Sequence, residues 1–565
     1  MASPEQLPDI EPNTSIRTNN SDDISTVAET HSGSDLKSDP EKAPSTPERD
    51  AEAGNKSDEP RPIPVPRLKR RGLFGQLTLV PEVENPRAYS RSTKWVLTCT
   101  VSLATLIAPM GTSIFYPALR EVESDLHTNA TVTNLSLAFY LLAMAIFPLW
   151  WSNWAEAFGR RTIYLISFAL GVVFAVLAAI SNSIGMLIAV RLLSGGSSAS
   201  VQAVGVASIS DLWEPRERGR AMGIFFLGPQ LGPFLAPIIG GALADRWGWR
   251  STMWFVVILA AAMLLMLFII LPETSLRRET TWRARVNEKI GHRNVFMRTI
   301  LLLRILLIDP FSALLVLRYP AMFLPMFYIG VVTIYFYILN ISIQNTFASP
   351  PYNFSTLIVG LLYIPSSLGY IGGSVIGGRW MDYVMQREAR KANRFDENGK
   401  PRVYPEERMK ENTWVGALLP VAALLWYGWT AEHGIYWLCP MIANFFTGFG
   451  MIVIISVSIT MISEFMPGDP RGLAASVFIR NVLGCVGTVV AAPMLSSLGN
   501  GWTFTLWALV ALAVCASLLN TISRLDLVND IPDISQQGGD VDIIVVVIAF
   551  RYLIGNVVVD LEAQC

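Results

Sequence analysis

Metal-ligating side chains and charge are both scarce in this chain. It has four histidines and five cysteines in 565 residues. No HExxH, no paired CxxC and no Walker phosphate loop occurs, which argues against a histidine metal site, an enzyme and an ATP-driven pump. Cys99, Cys439, Cys485 and Cys515 stand inside apolar runs and Cys565 is terminal, so no disulfide framework is expected. Charged residues are 16% of the chain, against roughly 25% in a soluble domain. The 44 basic and 45 acidic residues nearly cancel, so neither a nucleic acid nor another strongly charged partner is implied. The first residues lack the apolar h-region of a secretory signal.

Apolar length is abundant instead. Hydrophobic residues are 52% of the chain and mean hydropathy is +0.40. About a dozen runs reach the roughly 20 residues that cross a hydrocarbon core as a helix. They fall at about 95–119, 132–151, 161–181, 184–207, 220–243 and 252–271, then at about 319–344, 355–378, 413–431, 436–462, 472–495 and 502–523. This predicts an all-α membrane protein of twelve transmembrane helices in two six-helix pseudo-repeats, 91–271 and 319–524. Residues 1–90, rich in Pro, Ser, Asp and Glu, read as a disordered cytoplasmic tail. Its basic end, Arg67-Leu68-Lys69-Arg70-Arg71, reads equally as a lipid-headgroup contact or a solvated run. Residues 272–318 read as a central loop with an amphipathic helix at the interface. In the tail 525–565, the run VDIIVVVIAFRYLIGNVVVD is short and interrupted by Arg551, so it reads as a peripheral segment or an error in the gene's last exon.

Lys and Arg set the orientation. Arg160 and Arg161, Arg216, Arg218 and Arg220, Arg277 to Arg285, and Arg387 to Arg402 all fall on one side. Arg120, Arg246 and Arg250 fall on the other. The rich side is expected to be cytoplasmic with both termini inside, in the plasma membrane. The sequons at Asn129 and Asn353 then lie outside, open to glycosylation.

Three motifs carry chemistry. Ser152, Glu156, Gly159, Arg160 and Arg161 form a small residue, a carboxylate and a tight basic turn; Gly378 and Asp382 repeat the small-to-carboxylate spacing after span 8. Such a turn serves as a salt-bridged latch or simply as topology. Arg191 lies about seven residues inside span 4, roughly 10 Å of helix, and a charge at that depth reads as functional. Span 5 carries Gly228, Pro229, Gly232, Pro233, Pro237, Gly240 and Gly241, a broken helix with a smooth face. The 152–161 segment resembles the signature loop of the major facilitator superfamily, with Ser152 for Gly, Glu156 for Asp and Ala157 for the first Arg. The Arg191 and span 5 segments resemble that family's proton-coupling and antiporter motifs. Together with span 1, Asp211–Gly219 and Arg246–Thr252, they are similar to fungal drug:proton antiporters of the twelve-span class, the quinidine-resistance and dityrosine-exporter branch, over about 90–525.

That resemblance implies a monomeric proton-coupled antiporter that needs no cofactor and exports amphipathic small molecules (drugs, toxins or a fungal metabolite) through the bilayer, as a multidrug efflux pump. Polar and aromatic residues inside spans are the cavity candidates: Asn134, Tyr140 and Gln202, then Tyr335, Asn340, Gln344, Asn345, Tyr363, Asn444, Arg480 and Asn481. No Asp or Glu lies deep in a span, which leaves Glu464, at an inner helix end, beside Arg191 as the proton-coupling candidates. A nutrient importer on the same fold and a non-transporting membrane sensor are the alternatives.

Overall fold

The computed structural model describes residues 63–275, 295–391, 409–466 and 470–529; within these, some side chains, including those at Gly378, Asp382 and Glu464, lie outside the described set. Span 1 is Arg91–Asp125, span 2 Ala130–Phe158, span 3 Arg160–Ala179, span 4 Ile184–Leu212, span 5 Pro215–Trp247 and span 6 Trp249–Ile270. A linker helix, Val295–Leu307, and a 3-10 helix, Asp309–Arg318, lead into span 7, Pro320–Phe347. Span 8 joins Thr356–Leu361 to Ile364–Lys391, span 9 is Met409–Glu432 and span 10 Leu438–Phe465. The final helix, Pro470–Asn529, breaks at Gly499 (φ 70°) into span 11 (470–498) and span 12 (500–529). The result is six passages on each side of the linker. Arg387, Arg390 and Lys391, expected in a loop, instead stand on span 8, whose helix runs to Lys391, between three and four turns past the expected end at 378.

The breaks between passages have local causes. Ser90, Asn129 and Ser183 accept N–H bonds from the first turns of spans 1, 2 and 4, ordinary N-caps. Spans 3, 6 and 12 begin directly after Gly159 (φ 92°), Gly248 (φ 78°) and Gly499 (φ 70°), which lack a side-chain cap of their own. Carboxylates from elsewhere fill that role at two of them. Glu273 accepts from Arg160 N at 2.9 Å and Arg161 N at 3.2 Å, and Glu432 accepts from Asn500 N at 2.6 Å. An anion at a helix N-terminus also meets the positive end of the helix dipole. Burial then sorts the passages. Of its most apolar stretch span 1 buries 83% and span 7 72%, while span 6 buries 17%, so spans 1 and 7 are central and span 6 faces lipid.

Two faces result. The basic face carries Arg160, Arg161 and the start of span 5; the opposite face carries Arg120 and Arg250. Residues 63–90 depart from the expected disorder of 1–90. They form a strap docked on the basic face of the first half. Val65 N donates to Glu82 O at 2.7 Å and Leu79 N to Ile269 O of span 6 at 2.9 Å. Val83 and Tyr89 enter the same core as Leu97, Trp151 and Trp213. The Glu82 carboxylate, 1% exposed, takes both the backbone N–H and Nε of Arg71 at 2.6 Å. Composition misled here because the order comes from contacts with spans 3 and 6, far along the chain.

Glu82→Ala leaves the buried donors of Arg71 without an acceptor. Because the Arg71 side chain is 33% exposed, the expected loss is about 1–2 kcal/mol, the lower part of the range for such groups. Hydrogen exchange should quicken across 63–90 while spans 7–12 keep their protection. Unchanged exchange in the strap would show that this ion pair does not anchor it.

Candidate functional site

Span 5 sets the geometry of the seam between the halves. Pro229, Pro233 and Pro237 have no N–H, so each frees the carbonyl four residues earlier: Phe225, Pro229 and Pro233. In hydrocarbon such groups must find other donors. Ser102 of span 1 donates to Phe225 O at 3.1 Å. Ser367 of span 8, in the other half, lies 3.4 Å from Pro233 O and shares its one proton between that carbonyl and Tyr363 O of its own helix, at 3.0 Å. The glycines supply the approach. A Cβ at Gly228 or Gly240 would overlap the Ser102 or Ile114 carbonyl of span 1. Gly241 faces span 8, where an added Cβ would lie 2.8 Å from Thr356 O, and one at Gly360 would lie 2.5 Å from Pro237 O. Spans 5 and 8 therefore cross glycine to glycine near the opposite face.

Arg191 is 3% exposed. It donates to Gly111 O at 3.0 Å and Ser136 O at 3.4 Å, and its guanidinium lies 4.5 Å from the Phe115 ring and 4.9 Å from the Tyr140 ring. Among the described residues no carboxylate pairs with it. Carbonyl dipoles and aromatic faces hold the charge instead. Tyr140 is fixed in turn by Ala108 O at 3.0 Å and Ser198 Oγ at 2.9 Å.

A small cavity of ≈ 10 Å³ lies between the halves, room for about one water. Ser113 and Tyr116 of span 1 and Pro233 and Pro237 of span 5 form one wall; Phe336, Asn340, Tyr363, Ser366 and Ser367 form the other. Tyr363 stacks on Tyr116 at 5.8 Å and donates to Asn340 O at 2.7 Å. The cavity thus meets the freed carbonyl of the proline helix.

The Major Facilitator Superfamily model matches residues 101–492. The chain belongs to the major facilitator superfamily. It is 32% identical to the MFS antiporter QDR3 of Candida albicans, over 80% of this chain and 81% of that one. It is 32% identical to the efflux pump radE of Floropilus chiversii, over 76% and 80%. A solved POT family transporter in complex with a thioalcohol-conjugated peptide aligns over 78% of this chain and 99% of that one, with a TM-score of 0.56 at 12% identity, a likeness of fold.

The other expected residues of this superfamily member divide. Asn340 and Tyr363 line the cavity. Asn481 joins the halves, donating to Met144 O of span 2 at 3.2 Å. Asn134, Tyr335, Gln344 and Asn444 are buried with polar atoms that have no partner among the described residues, and none of the four lines this cavity. Gln202, Asn345 and Arg480 are half-buried. Asn129 and Asn353 are exposed, beyond the opposite-face ends of spans 2 and 7. The side chains of Gly378, Asp382 and Glu464 lie outside the described residues.

The latch differs from the expectation. Ser152 and Glu156 are half-buried, and among the described residues Glu156 makes no ion pair. Arg160, 1% exposed, pairs with Asp211 of span 4 at 3.4 Å. Arg161 donates to the carbonyls of Leu73 and Phe74 in the strap and of Phe268 and Leu271 beside span 6. Both arginines knit the first half together rather than bridging to the second. Glu273, which sequence reasoning missed, completes this node; burial raises its carboxyl above the usual range, and the N–H bonds it accepts oppose that. A lone Glu in Leu271-Pro272-Glu273-Thr274-Ser275 gives little signal, because its partners are residues about 110 positions away.

At the basic face it is span 2 that reaches beyond its own half, to the linker helix. Trp150, Asn153 and Trp154 donate to Leu307, Ile305 and Leu306 O at 3.0, 2.9 and 3.3 Å. These carbonyls end the linker helix and lack partners within it. The spacing i, i+3, i+4 puts the three donors on one face of span 2.

Gly360→Val adds branched carbons where 2.5 Å is available. Separation of spans 5 and 8 at the opposite face is expected, read as thiol labelling of cysteines placed near Thr356 rising about 10-fold. Labelling equal to the parent would mean that this crossing does not close that face. Glu273→Ala removes the acceptor of three N–H groups and should cost about 1–3 kcal/mol, seen as a lower melting temperature of the purified protein.

Proposed function

We propose that this chain is a proton-coupled exporter of small amphipathic organic molecules, working as a monomer by alternating access. The basic face is cytoplasmic, both termini lie inside, and the site of action is the plasma membrane. The observation that supports this reading is the position of the proline-bearing span 5: the Pro233 carbonyl, Gly241 and the cavity lie on the line where the halves meet.

Rocking has a concrete form here. Opening outward breaks Ser367 from Pro233 and the glycine crossing of spans 5 and 8. Opening inward breaks the Trp150, Asn153 and Trp154 bonds to the linker helix. A cargo shifts this balance only by binding the two states differently. The cavity is closed to about the size of one water in this state, but once the halves part its walls offer tyrosine and phenylalanine faces beside serine hydroxyls and an amide, chemistry suited to an amphipathic molecule. The antiporter and efflux relatives support the outward direction. Arg191 stands beside Tyr140 and span 1, where protonation elsewhere changes its surroundings; Glu464, at the basic-face end of span 10, is the proposed proton carrier.

Extrusion of an amphipathic dye from vesicles bearing a proton gradient tests this. Active export that stops with a protonophore is expected, and Arg191→Ala should slow it about 10-fold or more. Export that proceeds at the parent rate in Arg191→Ala, or uptake driven by the gradient, would overturn the reading.

A further inference from the structure

We infer that the strap, residues 63–79 above all, is a lipid-binding surface: its apolar side chains enter the boundary of the cytoplasmic leaflet, and Arg67 and Lys69 hold anionic headgroups there. This goes beyond the export reading and takes from it only which leaflet the basic face meets.

The strap is sorted the wrong way round for a segment in water. Its polar atoms are spent on the protein. Leu73 N donates to Thr162 Oγ1 at 3.2 Å, and the Leu73 and Phe74 carbonyls accept from Arg161. Arg70 donates to Thr78 O at 3.0 Å, and Thr78 and Glu82 are buried. The large apolar side chains stand out instead. Ile63, Leu68, Phe74, Leu77 and Leu79 are between 58% and 87% exposed. One exposed leucine means nothing, but five large apolar side chains crowded into one short segment make a patch that something covers.

What covers it follows from its neighbour. Span 6 faces lipid, and its exposed residues Trp254, Ile258 and Leu265 recur at helical spacing. The next positions on that stripe are Phe268 and Ile269, at the basic-face end of the span. There the strap joins it. The Phe74 ring lies 5.9 Å from the Phe268 ring, and Leu79 N donates to Ile269 O at 2.9 Å. Phe74 and Leu79 thus prolong a lipid-facing surface to the level of the headgroups.

Charge fits the same occupant. Residues 63–90 carry five basic residues and two acids, and one of the acids, Glu82, is taken by Arg71. Arg67 and Lys69 are exposed on either side of Leu68 and make no ion pair among the described residues. Basic side chains interleaved with apolar ones at the end of a span suit an anionic interface, where burial of the apolar groups and attraction of the charges add. A merely solvated basic run has no need of apolar neighbours in the open.

The test is amide hydrogen exchange of the purified full chain in nanodiscs of two kinds, phosphatidylcholine alone and phosphatidylcholine with phosphatidylserine in equal parts. Exchange across 67–79 should be about 10-fold slower with phosphatidylserine, the order that two basic side chains at an anionic surface give, while spans 7–12 exchange alike in both. Arg67→Gln together with Lys69→Gln should bring the phosphatidylserine rate up to the phosphatidylcholine rate and leave the latter unchanged. Leu77→Ser together with Leu79→Ser should quicken exchange in both discs. All four side chains are exposed, so the fold survives their replacement. Equal exchange in the two lipids, a lipid dependence that persists in the Gln variant, or a Ser variant that exchanges like the parent each overturns the inference. So does free inorganic phosphate that slows exchange in phosphatidylcholine discs as much as phosphatidylserine does, because the site then serves a soluble anion. The discs carry the same lipid on both faces and no gradient, so the two proposals fail separately: a strap that responds to phosphatidylserine in a chain that extrudes no dye removes the export reading alone, and a chain that extrudes dye with a strap blind to lipid removes this inference alone.

Discussion

A helix that gives up three backbone N–H groups inside a bilayer survives only where other side chains reach the carbonyls left behind. Span 5 meets that condition at two of its three freed carbonyls, and asymmetrically, with Ser102 serving Phe225 O from its own half and Ser367 reaching Pro233 O from the other. The first bond fixes the helix to its bundle. The second makes satisfaction of the backbone depend on contact between bundles. The glycines at 228, 240 and 241 belong to the same constraint, because a serine hydroxyl reaches a main-chain carbonyl only when the helices approach closely.

Much of this was legible from residue order. Long apolar runs gave the passages, because a span must satisfy its backbone internally and so writes its length into the sequence. Pro229, Pro233 and Pro237 announced the freed carbonyls, although the helix runs on unbroken from Pro215 to Trp247, and Arg191 announced a buried charge. What was not legible is who answers them. Nothing local marks Ser102 or Ser367 among many serines, or Asp211 as the partner of Arg160, since those pairings exist only after helices distant in sequence pack. The strap shows the same limit from the other side: 63–90 has the composition of a solvated tail, yet Val83, Tyr89 and the Arg71–Glu82 pair hold it on spans 3 and 6.

The signature loop illustrates how a family pattern can be right in place and different in role. Gly159 turns the chain as expected, but Ala157 stands where a further arginine is common, and Glu156 makes no ion pair among the described residues. Arg160 and Arg161 instead spend their donors on Asp211, the strap and the end of span 6. That arrangement turns the loop into a clasp for one bundle, and leaves span 2, through Trp150, Asn153 and Trp154, to hold the linker helix ahead of span 7.

The distribution of bond types then explains why such a molecule can rock. Four ion pairs lie within the first half: Arg71 with Glu82, Arg91 with Glu217, Arg160 with Asp211 and Arg250 with Asp125. Across the seam the bonds end on neutral acceptors: Arg120 on Ala348 O and Ser349 Oγ, Ser367 on Pro233 O, Asn481 on Met144 O, and the two tryptophans and Asn153 on the linker carbonyls. A neutral hydrogen bond nets about 0.5–1.5 kcal/mol and one from a charged donor such as Arg120 about 1.5–3 kcal/mol, whereas breaking a fully buried ion pair such as Arg160–Asp211, 1% and 2% exposed, costs about 3–5 kcal/mol. The buried Arg160–Asp211 pair stiffens its bundle. Weak bonds at both faces of the seam are nearly matched, so closing one face compensates for opening the other. The remaining imbalance is within reach of a bound cargo, whose differential affinity is the means by which it moves such an equilibrium.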